Sequence, residues 1–167
     1  MNNIEKINFE SEDKLYSYIN LKLTALICDE PDWLANLSNA GAVLWLLLDN
    51  INWAGFYLYK NDELVLGPFQ GKPACTHIKL GKGVCGTAAD KKETQLVKNV
   101  HEFPGHIACD SNSNSEIVIP IVKGSRLVGV LDIDSPVINR FNENDRRYLE
   151  KFVSLIVKYV DFPESFV

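Results

Sequence analysis

Apolar residues recur at Leu15, Ile19, Leu23, Leu26 and Ile27, the spacing of one helix face, and predict a helix over residues 13–28. Cys28 falls in the same stripe and reads as a core residue. The stretch DEPDW at 29–33 ends that helix and starts another, with Pro31 near a first turn. Residues 33–48 are then strongly apolar and predict a mostly buried second helix.

The period changes after that. WAGFYLYK and ELVLGPFQ carry aromatic and aliphatic residues on both sides of Asn61-Asp62, which reads as a hairpin. SEIVIPIVKGSRLVGVLDIDS, 115–135, reads as a second hairpin turning near Lys123-Gly124-Ser125. Pro120 inside its first arm removes a ladder donor and predicts an edge or a bulge there. From Asn142 onward the helical period returns, with Leu149, Phe152, Val153, Ile156, Val157 and Val160 on one face.

The order is helix, helix, hairpin, a long irregular middle with one short helix, hairpin, helix. It predicts an α+β fold with a central, largely antiparallel sheet. The N- and C-terminal helices would cover one face. The irregular middle, roughly 71–115, would lie over the other and build a pocket. No repeat or linker divides the chain, so residues 1–167 read as one domain with a core over about 10–160.

Composition narrows the partners. Net charge is −5 and no lysine or arginine cluster appears, so a nucleic-acid partner is not expected. The start, MNNIEKINFESEDK, lacks the basic end and apolar stretch of a secretory leader, and the longest apolar run, AVLWLLL, is too short for a membrane span. A cytoplasmic location follows as the expectation. In that reducing compartment four cysteines are buried, metal-bound or catalytic thiols and not a disulfide framework. His77, His101 and His106 could join cysteines around zinc, but no C-x-x-C pair occurs and no metal is expected.

GKGVCG at 81–86 matches the dinucleotide pattern G-x-G-x-x-G. That fingerprint needs a parallel strand pair and an acidic residue about twenty positions on, where this chain has Phe-Pro-Gly-His at 103–106. The better reading is a turn entering a short helix, with glycines permitting close loop–helix packing. No nicotinamide or other cofactor is expected.

NWAGFYLY, LGPFQGKPACTHIKLGKGVCGTAA, HIACDSNSNSEIVIPI and GVLDIDS together resemble a GAF domain. More narrowly they are similar to the free methionine-(R)-sulfoxide reductases, over nearly all of residues 10–160. The glycine loop and GVLDI are shared by many sensor domains. Three spaced cysteines beside D-S-x-S-x-S-E are far more specific. The resemblance implies a GAF-like fold, action on free methionine-(R)-sulfoxide, thioredoxin as electron donor and a homodimer through the amphipathic helices.

Sulfoxide reduction needs a soft nucleophile, a way for oxygen to leave and a source of two electrons. A thiolate supplies the first. Its sulfenic acid can condense with a second thiol to a disulfide, which an external dithiol reduces. Cys109, in an accessible polar loop, is the expected nucleophile; the alternative is an unreactive surface cysteine. The family pattern implies Cys75 as resolving thiol and Cys85 as a third, relay or alternative resolving thiol, although helix packing would explain Cys85 equally well.

Asp132 and Asp134 alternate in LDID and so share a face, and Glu116 opens the neighbouring arm. Adjacent buried carboxylates repel, so one can keep its proton near neutrality and donate to sulfoxide oxygen while another meets the substrate ammonium. Glu116 and Asp134 are favoured for the oxygen. The plain alternative is a solvated strand end. Trp53 and Tyr57 share parity and could wall the pocket against the methyl and thioether, or simply pack the core. Backbone N–H groups of 107–110 and 111–115 could hold the substrate carboxylate. Two other functions use the same residues: a ligand-binding sensor module, and a thiol switch without turnover.

Overall fold

The computed structural model describes residues 4–106 and 110–166. Helices α1 (Glu12–Ile27) and α2 (Trp33–Leu47) precede strands β1 (Trp53–Lys60), β2 (Glu63–Gly71) and β3 (His77–Lys79). Helix α3 (Gly83–Lys91), strand β4 (Gln95–Val97) and a short 3₁₀ turn at Val100–Glu102 follow. Strands β5 (Ser115–Lys123) and β6 (Arg126–Ser135) and helix α4 (Glu143–Tyr159) complete the order. The six strands form one sheet in the order β3-β2-β1-β6-β5-β4, with every neighbouring pair antiparallel.

Local signals explain the helix ends. Asp32 accepts from the Ala35 N–H at 2.7 Å and starts α2. Asn142 accepts from the N–H groups of Asn144 and Asp145, and Asp145 returns the bond to the Asn142 N–H at 2.8 Å. That reciprocal box satisfies donors the first turn would otherwise leave unpaired. Asp145 is itself buried and also takes bonds from Tyr16 and Arg140, tying α4 to α1.

The sheet has two unlike faces. Ala54 and Phe56 of β1, Ile117 and Ile119 of β5 and Leu131 and Ile133 of β6 pack against α1, α2 and α4 in the larger apolar cluster. The alternate residues Trp53, Tyr57, Val118 and Val130 pack against α3 in a second, smaller one. This arrangement confirms the expected α+β fold, with terminal helices on one face of an antiparallel sheet.

Three expectations need correction. Cys28 caps α1 and is exposed, because the helix ends at Ile27, one residue before the core stripe would reach it. Helix α2 buries one side only: Leu34, Trp45 and Leu46 stand exposed while Leu37, Val43, Leu44 and Leu47 face the core. The middle segment holds β3 and β4 in addition to its short helix; three-residue strands are too short to show a period. Pro120 lies on β5 beyond the end of β4, where that strand has no outer neighbour, and a register shift follows between Ile121 and Val122. No helix among the described residues is long and apolar enough to cross a membrane.

Candidate active site

Sheet register assembles the site. Trp53 pairs with Asp134 and Asp134 with Glu116, so those three side chains form one row across β1, β6 and β5. In the next row Gly55 pairs with Asp132, and Asp132 with Val118. Both rows point away from the large apolar cluster. A Cβ at position 55 would lie 2.8 Å from the Trp53 ring and 2.3 Å from Phe69 Cβ, so only glycine leaves the indole room to lie there. Trp53 stacks between Tyr57 and Phe69, with centroids at 5.8 and 5.3 Å.

The two aromatics also hold the loop after β2. Trp53 Nε1 donates to the Lys72 carbonyl at 3.1 Å, and Tyr57 Oη donates to the Cys75 carbonyl at 3.0 Å. Cys75 is disulfide-bonded, whereas Cys28 and Cys85 are free thiols. Cys109 and the N–H groups of 107–109 lie outside the described residues.

GKGVCG forms the turn into α3, as its glycines suggest: Gly81 and Gly83 have φ of +72° and +60°. A Cβ on Gly86 would come within 2.3 Å of the Lys79 carbonyl, so glycine lets α3 sit hard against β3. That packing brings Cys85, on the first turn of α3, onto the carboxylates. Its thiol lies 3.9 Å from Glu116 Oε1, within range of a weak S–H···O bond.

Trp53, Tyr57, Cys85, Glu116, Asp132 and Asp134 therefore line one cavity of about 540 Å³, counting its open mouth. Glu116, Asp132 and Cys85 are each at most 6% exposed. Asp132 Oδ1 has no hydrogen-bond partner among the described residues. A ligand atom from each of these three residues lies within 4.8 Å of the others, so this cluster could hold a metal ion.

Burial dominates the electrostatics. It pushes the Glu116 carboxyl well above the ordinary range, and the Asp132 and Asp134 charges push it further. It raises Asp134 strongly, with Asp132 adding to the shift. It lifts Asp132 from 3.8 to about 6, against hydrogen bonds from Cys85 and Glu116 that lower it. The Cys85 thiol is pushed up by burial, then by Asp132 and Glu116, so at neutral pH it keeps its proton. Tyr57 is raised by the same burial.

The rim differs. Asp110 is held below the usual carboxylate range, first by the Asn112 N–H and also by Lys72, whose Nζ lies 3.3 Å away. Asn52 Nδ2 bridges to Ser113 Oγ at 3.1 Å and to Asp110 Oδ2 at 3.4 Å, tying this loop to the start of β1. The sequence singled out His106 as one of three histidines that could join cysteines around zinc. It lines the cavity, with Nε2 4.0 Å from Glu116 Oε2, and burial followed by the His101 charge lowers its pKa. Lys72 and Lys82 are further lining residues missed from sequence, and Asp110 and Ser113, read there only for their backbone N–H groups, line the cavity too; each falls inside a motif that carries the family likeness. His77 and His101 take no part; they pair with Glu63 and Asn114.

Comparison with known proteins agrees with this geometry. The GAF domain family model matches residues 40–161. The free methionine-R-sulfoxide reductase of Escherichia coli (strain K12) is 49% identical over 148 residues, covering 89% of this chain and 90% of that protein. The yeast protein of the same name, from Saccharomyces cerevisiae, is 44% identical and covers 92% of each chain. The structure of free methionine-R-sulfoxide reductase from Neisseria meningitidis, in complex with its substrate, superposes with a TM-score of 0.86 at 42% identity, covering 93% of this chain and 95% of that one. A GAF fold whose pocket gathers an indole, two buried acids with a half-buried third, and a thiol, with such relatives, leaves one assignment: the chain belongs to the GAF-domain family of free methionine-(R)-sulfoxide reductases.

Proposed function

We propose that this chain reduces free methionine-(R)-sulfoxide to methionine in the cavity between Trp53 and the buried acids. The observation that carries the proposal is the convergence of protonated and ionisable carboxyls with an aromatic wall on one enclosed site. A sulfoxide has a basic oxygen that must be protonated to leave and an apolar methyl that wants a dry surface. The preference for the R form rests on the relatives.

In this reading Cys109 attacks the sulfoxide sulfur as its thiolate. Glu116 and Asp134, the more strongly proton-holding acids, donate to the oxygen. Transfer of that oxygen to the cysteine sulfur gives a sulfenic acid and releases methionine. The Cys75 thiol then attacks the sulfenic sulfur, water leaves, and a disulfide closes. An external dithiol of the thioredoxin class returns two electrons and two protons. The disulfide at Cys75 and the free thiol of Cys85 favour Cys75 as the resolving residue. Cys85 serves as a reserve relay thiol, since burial suppresses its thiolate.

Asp132, the least raised of the acids, is the one best able to meet the substrate ammonium as an anion. Trp53 and Tyr57 hold the thioether and, through Lys72 and Cys75, position the resolving loop. The whole chain acts as one domain in a reducing cytoplasm. A homodimer would cover Leu34, Trp45 and Leu46 on the open side of α2. A sensor without turnover would have no use for a disulfide beside the pocket.

The test couples the chain to thioredoxin, thioredoxin reductase and NADPH and adds free methionine-(R)-sulfoxide. Steady NADPH loss is expected. Loss no faster than without the chain would contradict the proposal.

A further inference from the structure

Cys85, Glu116 and Asp132 come from α3, β5 and β6 and meet in the cavity; among the described residues the basic group facing them is His106, whose Nε2 lies 4.0 Å from Glu116 Oε2, beyond hydrogen-bond distance. Their ligand atoms all lie within 4.8 Å of one another, with Cys85 Sγ to Glu116 Oε1 at 3.9 Å. Asp132 is only 6% exposed, and its Oδ1 is buried with no hydrogen-bond partner among the described residues. A buried carboxylate oxygen without a donor is a costly arrangement that a bound cation would relieve.

We propose that this cavity has a second occupant, a zinc-class divalent cation held by Cys85 Sγ and the carboxylates of Glu116 and Asp132. A tetrahedral zinc with one sulfur and two oxygen ligands needs ligand atoms about 3.4–3.6 Å apart. The observed spacing reaches that with side-chain shifts of an ångström or so, and the fourth position opens on the cavity. One thiolate with two carboxylates rejects magnesium and calcium, which require oxygen, and suits zinc and its neighbours. On binding, the Cys85 S–H bond is exchanged for sulfur–metal coordination, and the displaced thiol and carboxyl protons pass to solvent. No electron moves.

Cys85 is free while Cys75 is in its disulfide, so the site exists in the oxidised chain. The ion would occupy the space assigned above to the sulfoxide. Competition with substrate rests on that reading; the metal site does not. Zinc would then act as a reversible inhibitor of the enzyme.

The experiment titrates cobalt(II) chloride, the spectroscopic stand-in for zinc, into the oxidised Cys28→Ser chain, which removes the exposed free thiol. A near-ultraviolet thiolate-to-cobalt charge-transfer band should saturate at one cobalt per chain and be chased by zinc. Adding Cys85→Ser or Cys85→Ala should abolish the band in chains whose circular dichroism is unchanged. Glu116→Gln and Asp132→Asn should each raise the cobalt Kd by about tenfold or more. No band, a band surviving both Cys85 changes, or a Kd indifferent to both carboxamides would overturn the site. In the coupled assay zinc should raise KM for the sulfoxide and leave kcat unchanged; a fall in kcat alone would overturn the competition. A cobalt band in a chain without turnover would support the metal site and remove only the catalytic reading.

Discussion

The two faces of the sheet solve opposite problems with the same strands. Beneath α1, α2 and α4, residues such as Phe56, Ile119, Leu131 and Ile133 are fully apolar and bury area for stability. One residue along each strand, the chain places Trp53, Glu116, Asp132 and Asp134 against α3. The first face is a core that any volume-conserving set of hydrophobes could fill. The second carries three acids whose pKa values burial raises, which opposes folding at neutral pH. A chain keeps such groups where their chemistry is needed, and the helix face supplies the stability that tolerates them.

Substitutions on either face should separate these roles. The largest effect is expected for Cys109→Ser, with turnover in the thioredoxin-coupled assay falling to background and the melting curve unchanged. Multiple turnovers in that variant would show that another sulfur is the nucleophile.

Glu116→Gln should lower kcat by about a hundredfold or more, the usual share of a general acid. It should also raise Tm at pH 8. The sign follows from the direction of the shift. A carboxyl whose folded pKa is raised binds its proton more tightly in the folded chain, so stability is greatest below the unfolded value and is lost as pH climbs through the folded one. For Asp132 that window runs from 3.8 to about 6; for Glu116 and Asp134 it extends higher. Each kcal/mol recovered would move Tm by about 2–4 °C. A Tm that falls at pH 8, measured by scanning calorimetry, would mean the acid is stabilising.

Phe152→Ala on the helix face should show the reverse pattern. Phe152 is fully buried, so its loss should destabilise by about 3–5 kcal/mol in urea titration, with KM for the sulfoxide unmoved in the folded fraction. The smallest effect belongs to Asn142→Ala, which deletes the α4 cap and should cost about 1 kcal/mol with kcat and KM untouched.

Much of the helix face was legible in the sequence, because amphipathic periods and caps are local. The α4 stripe from Leu149 to Val160 and both hairpins are read from spacing alone. Parity in LDID likewise fixed Asp132 and Asp134 on one face. Cys28 misled because a stripe does not say where a helix stops. The three-residue strands β3 and β4 carry no period, and their place is set by β2 and β5. The exposed side of α2 escaped because tryptophan and leucine look buried wherever they occur.

On the pocket face the types of residue were visible, but their contacts were not. Nothing local reveals that the Trp53 indole donates to the Lys72 carbonyl, or that His106 turns toward Glu116. The meeting of Cys85 with Glu116 and Asp132 depends on α3 packing across β5 and β6, a tertiary fact.

The central claim is that buried acids on the pocket face read a free, zwitterionic sulfoxide. The most direct measurement compares steady-state turnover of free methionine-(R)-sulfoxide with that of its N-acetyl amide, which keeps the sulfoxide and removes both charges. The account predicts robust reduction of the first and none of the second above background. Equal kcat/KM for the two would contradict it.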